Sequence, residues 1–201
     1  EEFDNGIESV FAIQNSFDDG TDNQRLDTGN GLNYNMAPEY GCCGFHQPSQ
    51  NLVNAFKTDI NGLPRFNDFN DADMKDSIDF VSTYNVDPRL DHTVGIPGHP
   101  FKYVPDFIYQ EGFARTPVVY GFYSTMKETQ QPGSPSIRQY GPFIGSAKNQ
   151  DIIRYAEVLL WRAEALIELG QINDALPIIN DIRTRASNST ARLKFSSGDF
   201  V

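Results

Sequence analysis

The residues best suited to chemistry lie in one short segment, YNMAPEYGCCGFHQ, which holds both cysteines of the chain, Cys42 and Cys43. Such side chains could bind a metal, take part in redox chemistry or present flat rings to a ligand, and the segment could also be a plain connection. Adjacent cysteines lack the spacing of a CxxC motif or a zinc knuckle. Because His46, His92 and His99 are not spaced as ligand pairs either, the sequence predicts no zinc centre and no cofactor.

The bulk composition narrows the classes of partner. The chain has 201 residues, a formal net charge of −11 and 12% aromatic residues, which predicts a globular protein with one sizeable core or two small ones. A negative field of this size repels phosphate backbones and anionic lipid surfaces, so we expect no nucleic acid partner. No apolar run approaches the roughly 20 residues that span a bilayer. Both ends read as the interior of a fold, so we expect the chain to be part of a longer protein.

The order of the predicted elements places the cysteine segment in a long loop. Residues 1–17 are expected to form a strand or an extended pair. Residues 18–47, which are rich in Gly, Asn and Asp, are expected to form a loop. Ser49 can then cap a helix. Further along, residues 116–124 have strand character, and residues 126–150 read as a polar loop.

An acidic loop follows that helix, in residues 68–73. Its oxygen-bearing side chains are those of Asp68, Asn70, Asp71 and Asp73. Carboxylate and amide oxygens are ligands that Ca²⁺ takes, but the glycine and the distal glutamate of an EF-hand loop are missing. A solvated loop is therefore the favoured interpretation, and calcium binding stays open.

The most regular hydrophobic pattern lies in residues 151–186, DIIRYAEVLLWRAEALIELGQINDALPIINDIRTRA. At about 100° per residue, the apolar side chains of each half fall on one face. Gly170 suits a left-handed helix end, and Pro177 is tolerated only near a helix start, which places that start close to Gln171 or Asn173. Small Ala163 is expected where the helices cross. The pattern predicts an antiparallel hairpin like a tetratricopeptide repeat.

The hairpin sequence resembles the hallmark of the SusD/RagB family of surface nutrient-capture lipoproteins. Arginine, tyrosine and alanine open its first helix, and asparagine, isoleucine–arginine and arginine–alanine close the hairpin in family order. Upstream pieces follow the same order, namely ESVFAIQNSF, PSQNLVNAFKTDINGLP and DPRLDHTV. The resemblance implies a mainly α fold: a fragment of a SusD-like α/α superhelix with a tetratricopeptide-like helical hairpin, long irregular loops and short β segments.

The resemblance also implies how the chain is organised. It covers nearly all of the sequence and corresponds to the C-terminal half of such a protein. Residues 1–150 would be the loop-rich ligand-binding region. Residues 151–201 would be the helical hairpin and the start of a C-terminal segment, all within one continuous domain whose N-terminal part is missing.

Members of this family are not enzymes, so the resemblance implies a receptor on the outward-facing side of the outer membrane of Bacteroides-like bacteria. The protein would touch the membrane only through a lipid anchor on the missing N-terminal part. It would capture a glycan, or in some relatives a peptide, for a SusC-like TonB-dependent transporter. Typical members carry binding aromatics, often tryptophan, just before the PSQNLVNAF helix. This chain has Tyr34, Tyr40, Phe45 and His46 there instead.

Rings and amides in that loop suit a sugar. A pyranose stacks its C–H face on an aromatic ring, and its hydroxyls bond to amide and carboxylate groups. We expect Tyr34 and Tyr40 to supply rings, although they could instead pin the loop to the body of the protein. Asn33 and Asn35 are expected to supply amides. Phe45 is favoured as a packing anchor.

The adjacent cysteines leave three interpretations open. Both thiols could be free and partly buried, as cysteines often are. Alternatively, Cys42 and Cys43 could form a vicinal disulfide, a strained ring that an oxidising space outside the cell permits. Such a ring would give a rigid apolar knob against which a sugar face could rest. The third interpretation is that crystallisation chemistry decides between the two states.

Two rival functions remain at this point. A tetratricopeptide scaffold that binds a peptide would need several repeats, and the sequence contains one recognisable hairpin. A glycan hydrolase would need an acid and a base facing each other across a cleft. Glu157 and Glu164 instead lie along one predicted helix and read as a solvated or salt-linked face, so no catalytic residue is predicted. Trp161 on the same helix is expected to contact another layer of the core.

Overall fold

The computed structural model describes residues 4–17, 20, 36, 37, 39–74, 83–101, 104–127, 129–140, 143–189 and 194–199. Asn33, Tyr34 and Asn35 lie outside the described residues. Contacts divide the chain into two units. The first joins the N-terminal strand to the C-terminal helices, and the second holds most of the chain before Ser134. The predicted regions, residues 1–150 and 151–201 of one continuous domain, stay a prediction.

Short strands and helices build the described chain. The strands are β1 (Ser9–Ile13), β2 (Lys57–Thr58), β3 (Asn85–Val86), β4 (Val94–Gly95), β5 (Pro100–Phe101), β6 (Val104–Ile108), β7 (Ser124–Thr125), β8 (Ile137–Tyr140), β9 (Phe143–Ser146) and β10 (Gln150–Arg154). The helices are α1 (Gln50–Asn54), α2 (Pro117–Tyr120), α3 (Tyr155–Glu168) and α4 (Ile172–Ser189), with 3₁₀ turns at Leu90–His92 and Glu111–Phe113. The mainly-α prediction therefore holds for α3 and α4, and the rest of the described chain consists of short strands, short helices, turns and loops.

The predicted helical hairpin is confirmed in α3 and α4, which pack against each other. The two helices are joined by residues 169–171, a link short enough to make them antiparallel. Gly170 has a φ of 76°, a left-handed conformation that glycine adopts at little cost. Ala163 on α3 and Ala175 on α4 are both buried. Within the described residues, no helix is both long and apolar enough to cross a bilayer.

The start of the hairpin differs from the prediction. Residues 150–154 form β10, which pairs antiparallel with β1 through partners such as Ala12 and Asp151. Ser9 Oγ also donates to Asp151 Oδ1 at 2.7 Å. The backbone of β10 is therefore hydrogen-bonded to β1 before α3 begins at Tyr155. The spacing of the apolar residues in β10 does not by itself distinguish this strand from a helix. The predicted loop over residues 126–150 is likewise wrong where β8 and β9 form.

The predicted strand over residues 116–124 is also wrong. Pro117 occupies the first turn of α2, where its missing N–H costs nothing and its fixed φ suits a helix. Tyr120 N donates to the carbonyl of Thr116 at 3.1 Å. The valines that suggested a strand, Val118 and Val119, are exposed. Extended backbone appears only afterwards, in β7.

Two buried clusters form the core of the second unit. The first holds Val53, Met74, Leu90, Val94, Ile96 and Tyr123. The second is rich in aromatic residues and includes Ala37, Tyr40, Phe101, Tyr109 and Met126. In the first unit, Trp161 is 54% exposed, which does not match the predicted contact with another core layer.

Candidate functional site

Five aromatic side chains, Tyr40, Phe101, Phe107, Tyr109 and Phe113, pack together and are called the ring cluster here. The centroid of the Tyr40 ring lies 4.7 Å from that of Phe101 in an edge-to-face arrangement. Phe107 and Phe113 stack at 5.3 Å, and Phe101 and Tyr109 stack at 5.6 Å. Both arrangements are favourable for aromatic quadrupoles. The ring cluster therefore gives this part of the second unit a rigid floor.

The strand pair β5 and β6 carries two of these rings, Phe101 and Phe107. Phe101 pairs with Val104, and Pro100 with Ile108. Gly95 in β4 lies so close that a Cβ added to it would meet Cε2 of Phe101 at 2.6 Å. The Tyr109 hydroxyl is 2.7 Å from Ser124 Oγ, and burial raises the pKa of this phenol. Packing and a buried hydrogen bond thus fix the positions of the rings.

The segment that directly follows Tyr40 in the sequence, residues 41–47, is called the cysteine loop here. Gly41, Cys43, Gly44 and His46 all have positive φ, at 118°, 90°, 56° and 52°. This conformation is unfavourable for residues with a Cβ, so Cys43 and His46 depart from the usual backbone preference. A disulfide joins Cys42 to Cys43, which is the oxidised state among those that the sequence left open.

Arg115 ties the cysteine loop to the segment before α2. Its Nη1 donates to the carbonyl oxygen of Cys43 at 2.9 Å. The guanidinium carbon also lies 4.9 Å from the centroid of the Phe45 ring, within the range of a cation–π contact. A Cβ on Gly44 would meet the Cβ of Arg115 at 2.7 Å, so only glycine permits this approach. Sequence reasoning missed Arg115, because no local pattern links it to a loop 72 residues away.

The far end of the cysteine loop is fastened to helix α1 and to the first core cluster. Gln47 Nε2 donates to the carbonyl of Tyr123 at 3.2 Å. Ser49 Oγ accepts from the backbone N–H of Leu52 at 3.1 Å, which confirms the predicted helix cap. The loop is thus held at Tyr40, at Arg115 and at Tyr123.

The structure separates the predicted site residues by exposure. Tyr40 is 4% exposed and packs against Phe101 and Phe107, so it pins the loop to the ring cluster, the second of the two roles considered for it. Phe45 is 38% exposed and packs against the guanidinium of Arg115, and His46 is exposed. Cys42 and Cys43 are half-buried. Whether any of these residues contacts a ligand stays a prediction.

The model of the SusD family matches residues 7–198 of this chain. The chain belongs to the SusD family. A crystal structure of a SusD-like protein from Bacteroides fragilis NCTC 9343 superposes with a TM-score of 0.50 at 22% sequence identity. The match covers 90% of this chain and 36% of that one, so the chain spans about a third of the length of that relative, and the likeness concerns the fold. A search of curated protein sequences finds no significant match.

In this SusD-family chain, carboxylates of the acidic loop already accept hydrogen bonds from other side chains of the protein. Lys57 Nζ donates to Asp71 Oδ1 at 2.9 Å, and Arg65 Nη2 donates to Asp71 Oδ2 at 2.8 Å. Asn54 Nδ2 donates to Asp73 Oδ1 at 3.0 Å. The hydrogen bond from Lys57, followed by that from Arg65, lowers the pKa of Asp71 to about 2. In the part of the chain that is described, no group of three or more His, Cys, Asp or Glu could hold a metal ion.

An open cavity of about 360 Å³ lies beside strand β2 of the SusD-family chain. Lys57, Asp87 and Arg89 contribute its charged lining. Arg89 Nε donates to both carboxylate oxygens of Asp87 at 3.0 Å, and Lys57 is bonded to Asp71. Both cations are already paired within the protein and are therefore less available to bind a ligand. We therefore favour the cysteine loop over this cavity as the ligand-binding site.

Proposed function

We propose that this chain is the glycan-binding part of a non-catalytic nutrient receptor on the outer surface of the outer membrane. Membership of the SusD family supports the class of function. The observation that carries the proposal is the cysteine loop, which presents the ring of Phe45 to solvent while its base is fastened to the ring cluster. An exposed ring on a rigid support suits stacking against the C–H face of a sugar.

The proposed ligand contacts come from both ends of the loop region. Phe45 and His46 supply exposed rings, and Asn33, Tyr34 and Asn35 lie earlier in the same loop region of the sequence. Tyr40 is not proposed as a ligand contact; it is buried and attaches the cysteine loop to the ring cluster. The receptor would hand its ligand to a SusC-like TonB-dependent transporter, and a lipid anchor on another part of the protein would hold it at the membrane. A peptide ligand remains the alternative, as it does for a tetratricopeptide scaffold.

A hydrolase is disfavoured by the arrangement of the candidate acids. Glu157 Oε2 accepts from the backbone N–H of Arg154 at 2.8 Å and so serves the start of α3. Glu164 is exposed two turns further along the same helix. Carboxylates that cleave glycosidic bonds face each other across a cleft, about 5–10 Å apart. These two side chains have no such arrangement.

The test is electrophoresis of the full-length protein through native gels that contain a panel of polysaccharides. We expect retarded migration in at least one glycan, with no release of reducing sugar after prolonged incubation. Phe45→Ala combined with Tyr34→Ala should restore fast migration. Phe66→Ala is the matched control, because Phe66 is 80% exposed but lies outside the cysteine loop. Unretarded wild-type protein, or sugar release, would contradict the proposal.

A further inference from the structure

Arg115 is a charged residue of the second unit whose guanidinium contacts both Cys43 and Phe45 of the cysteine loop. Its guanidinium has five N–H donors, and the structure records one hydrogen bond from them, to the Cys43 carbonyl. Within the described residues, the recorded ion pairs do not include Arg115. The side chain is exposed, so its remaining donors are open to solvent beside the ring of Phe45.

A planar donor group beside an exposed aromatic ring matches the two surfaces of a sugar. The ring accepts the C–H face of a pyranose, and the guanidinium can donate to two neighbouring hydroxyls. The formal net charge of −11 repels polyanions at long range. A single arginine does not reverse that field, so the chemistry favours an uncharged glycan over one rich in carboxylate or sulfate.

The disulfide supplies the rigidity that such a subsite needs. It joins Cys42 to Cys43, the residue whose carbonyl accepts from Arg115. Cys43 is held at a φ of 90°, which an open chain would leave for more favourable conformations. Opening the disulfide would release the carbonyl from its place, and with it the orientation of the guanidinium over Phe45. Loss of this preorganisation lowers affinity even if every side chain remains.

We propose that Arg115 and Phe45, positioned by the Cys42–Cys43 disulfide, form a subsite for one unit of an uncharged oligosaccharide. The inference rests on the proposed function and adds to it a residue, a ligand class and a dependence on the redox state of the cysteine pair. Reduction is a balanced exchange: dithiothreitol gives two electrons and two protons to the disulfide, which becomes two thiols, while the reagent closes into its own cyclic disulfide.

The experiment measures the affinity of oxidised full-length protein in glycan-containing native gels. The probes are neutral polysaccharides, namely starch, xylan, galactan and mannan, and acidic ones, namely polygalacturonate, alginate and chondroitin sulfate. We expect wild-type protein to bind one of the neutral glycans and to prefer it to every acidic one. Arg115→Lys, which keeps the charge and loses the planar donor group, should weaken that binding about fivefold. Phe45→Ala should weaken it by a similar factor.

Arg138→Lys is the matched control. Arg138 lies over the ring of Phe17 at 4.1 Å, a cation–π pair of the same kind in the other unit, and its replacement should leave affinity unchanged. Thermal melting and alkylation of thiols without reductant are followed in parallel. They distinguish a lost ligand contact from a disturbed loop, because Arg115→Lys should keep its melting temperature and its disulfide while losing affinity.

The redox arm uses wild-type protein treated with dithiothreitol, and a Cys42→Ser, Cys43→Ser variant. Each should bind the neutral glycan about fivefold more weakly. When either of these changes is combined with Arg115→Lys, the fold loss of affinity should be smaller than the product of the two separate fold losses, because both changes damage one subsite. Unchanged affinity of Arg115→Lys, preference for an acidic glycan, or full affinity after reduction would each overturn the inference while leaving the proposed function intact. Binding to no glycan at all would overturn both.

Discussion

The phenol of Tyr123 donates to Oε1 of Gln50 at 3.1 Å, across 73 residues of sequence. The carbonyl of Met74 lies within hydrogen-bond distance of the same hydroxyl, so its single proton is shared between the two acceptors. The Tyr123 carbonyl in turn accepts from Gln47. One buried residue therefore connects helix α1, the first core cluster and the end of the cysteine loop. Anything that disturbs Tyr123 is expected to reach the candidate site through these bonds.

Tyr123→Phe should lower the free energy of unfolding by about 1–2 kcal/mol, because it removes the buried hydroxyl that bonds to Gln50 and Met74. The measurement is chemical denaturation followed by circular dichroism. Tyr120→Phe is the control, since Tyr120 is exposed on α2 and should change stability by less than about 0.5 kcal/mol. Equal effects of the two substitutions would show that the buried hydrogen bonds contribute nothing.

Gly95→Ala should disturb the ring cluster directly. The new methyl group would lie 2.6 Å from Cε2 of Phe101, closer than any real contact, so the ring must move, at a cost of about 1–3 kcal/mol. Near-ultraviolet circular dichroism would report the loss of fixed aromatic packing. Gly112→Ala offers a matched control, because a Cβ there meets nothing within 4 Å. A Gly95→Ala protein with native aromatic signals would refute the packing described here.

The pH dependence of stability should carry a contribution from Asp71. Hydrogen bonds from Lys57 and Arg65 lower its pKa from 3.8 to about 2 in the folded state. Since the folded pKa lies below the unfolded one, its stabilising contribution is present above pH 3.8 and is lost as pH falls through about 2. Wild type should therefore exceed Asp71→Asn in unfolding free energy at neutral pH. That difference should shrink between about pH 4 and pH 2, and a constant difference would contradict the assignment.

The helical hairpin should be sensitive to volume at Ala163. Leucine at this buried position would force α3 and α4 apart, so Ala163→Leu is expected to lower the free energy of unfolding by about 1–3 kcal/mol. Ala165 is exposed two residues further along the same helix, and Ala165→Leu should have little effect. Thermal denaturation of the two variants side by side measures the contrast. Destabilisation of the same size in both would mean that the helices do not cross at Ala163.

Local signals carried much of the prediction. The apolar spacing of residues 151–186, the left-handed glycine at Gly170 and the cap at Ser49 all act within a turn or two of chain. The hairpin and the cap they predict are present in the structure. The family resemblance rests on the same stretches and agrees with the family match over residues 7–198.

Contacts between distant residues decided the rest. Gln150–Arg154 became a strand because β1 offers it a partner. Val118 and Val119 are an exception, because a local signal, the proline before them at a helix start, made them helical. Tyr40 went into the ring cluster and Phe45 to the surface, although both are aromatic residues in one loop. The spacing of apolar residues indicates which side chains share a face of a helix or strand. Whether that face is buried depends on which distant residues of the chain pack against it. The sequence alone therefore determined the hairpin and the family, whereas only the tertiary structure placed Arg115 beside Cys43 and Phe45.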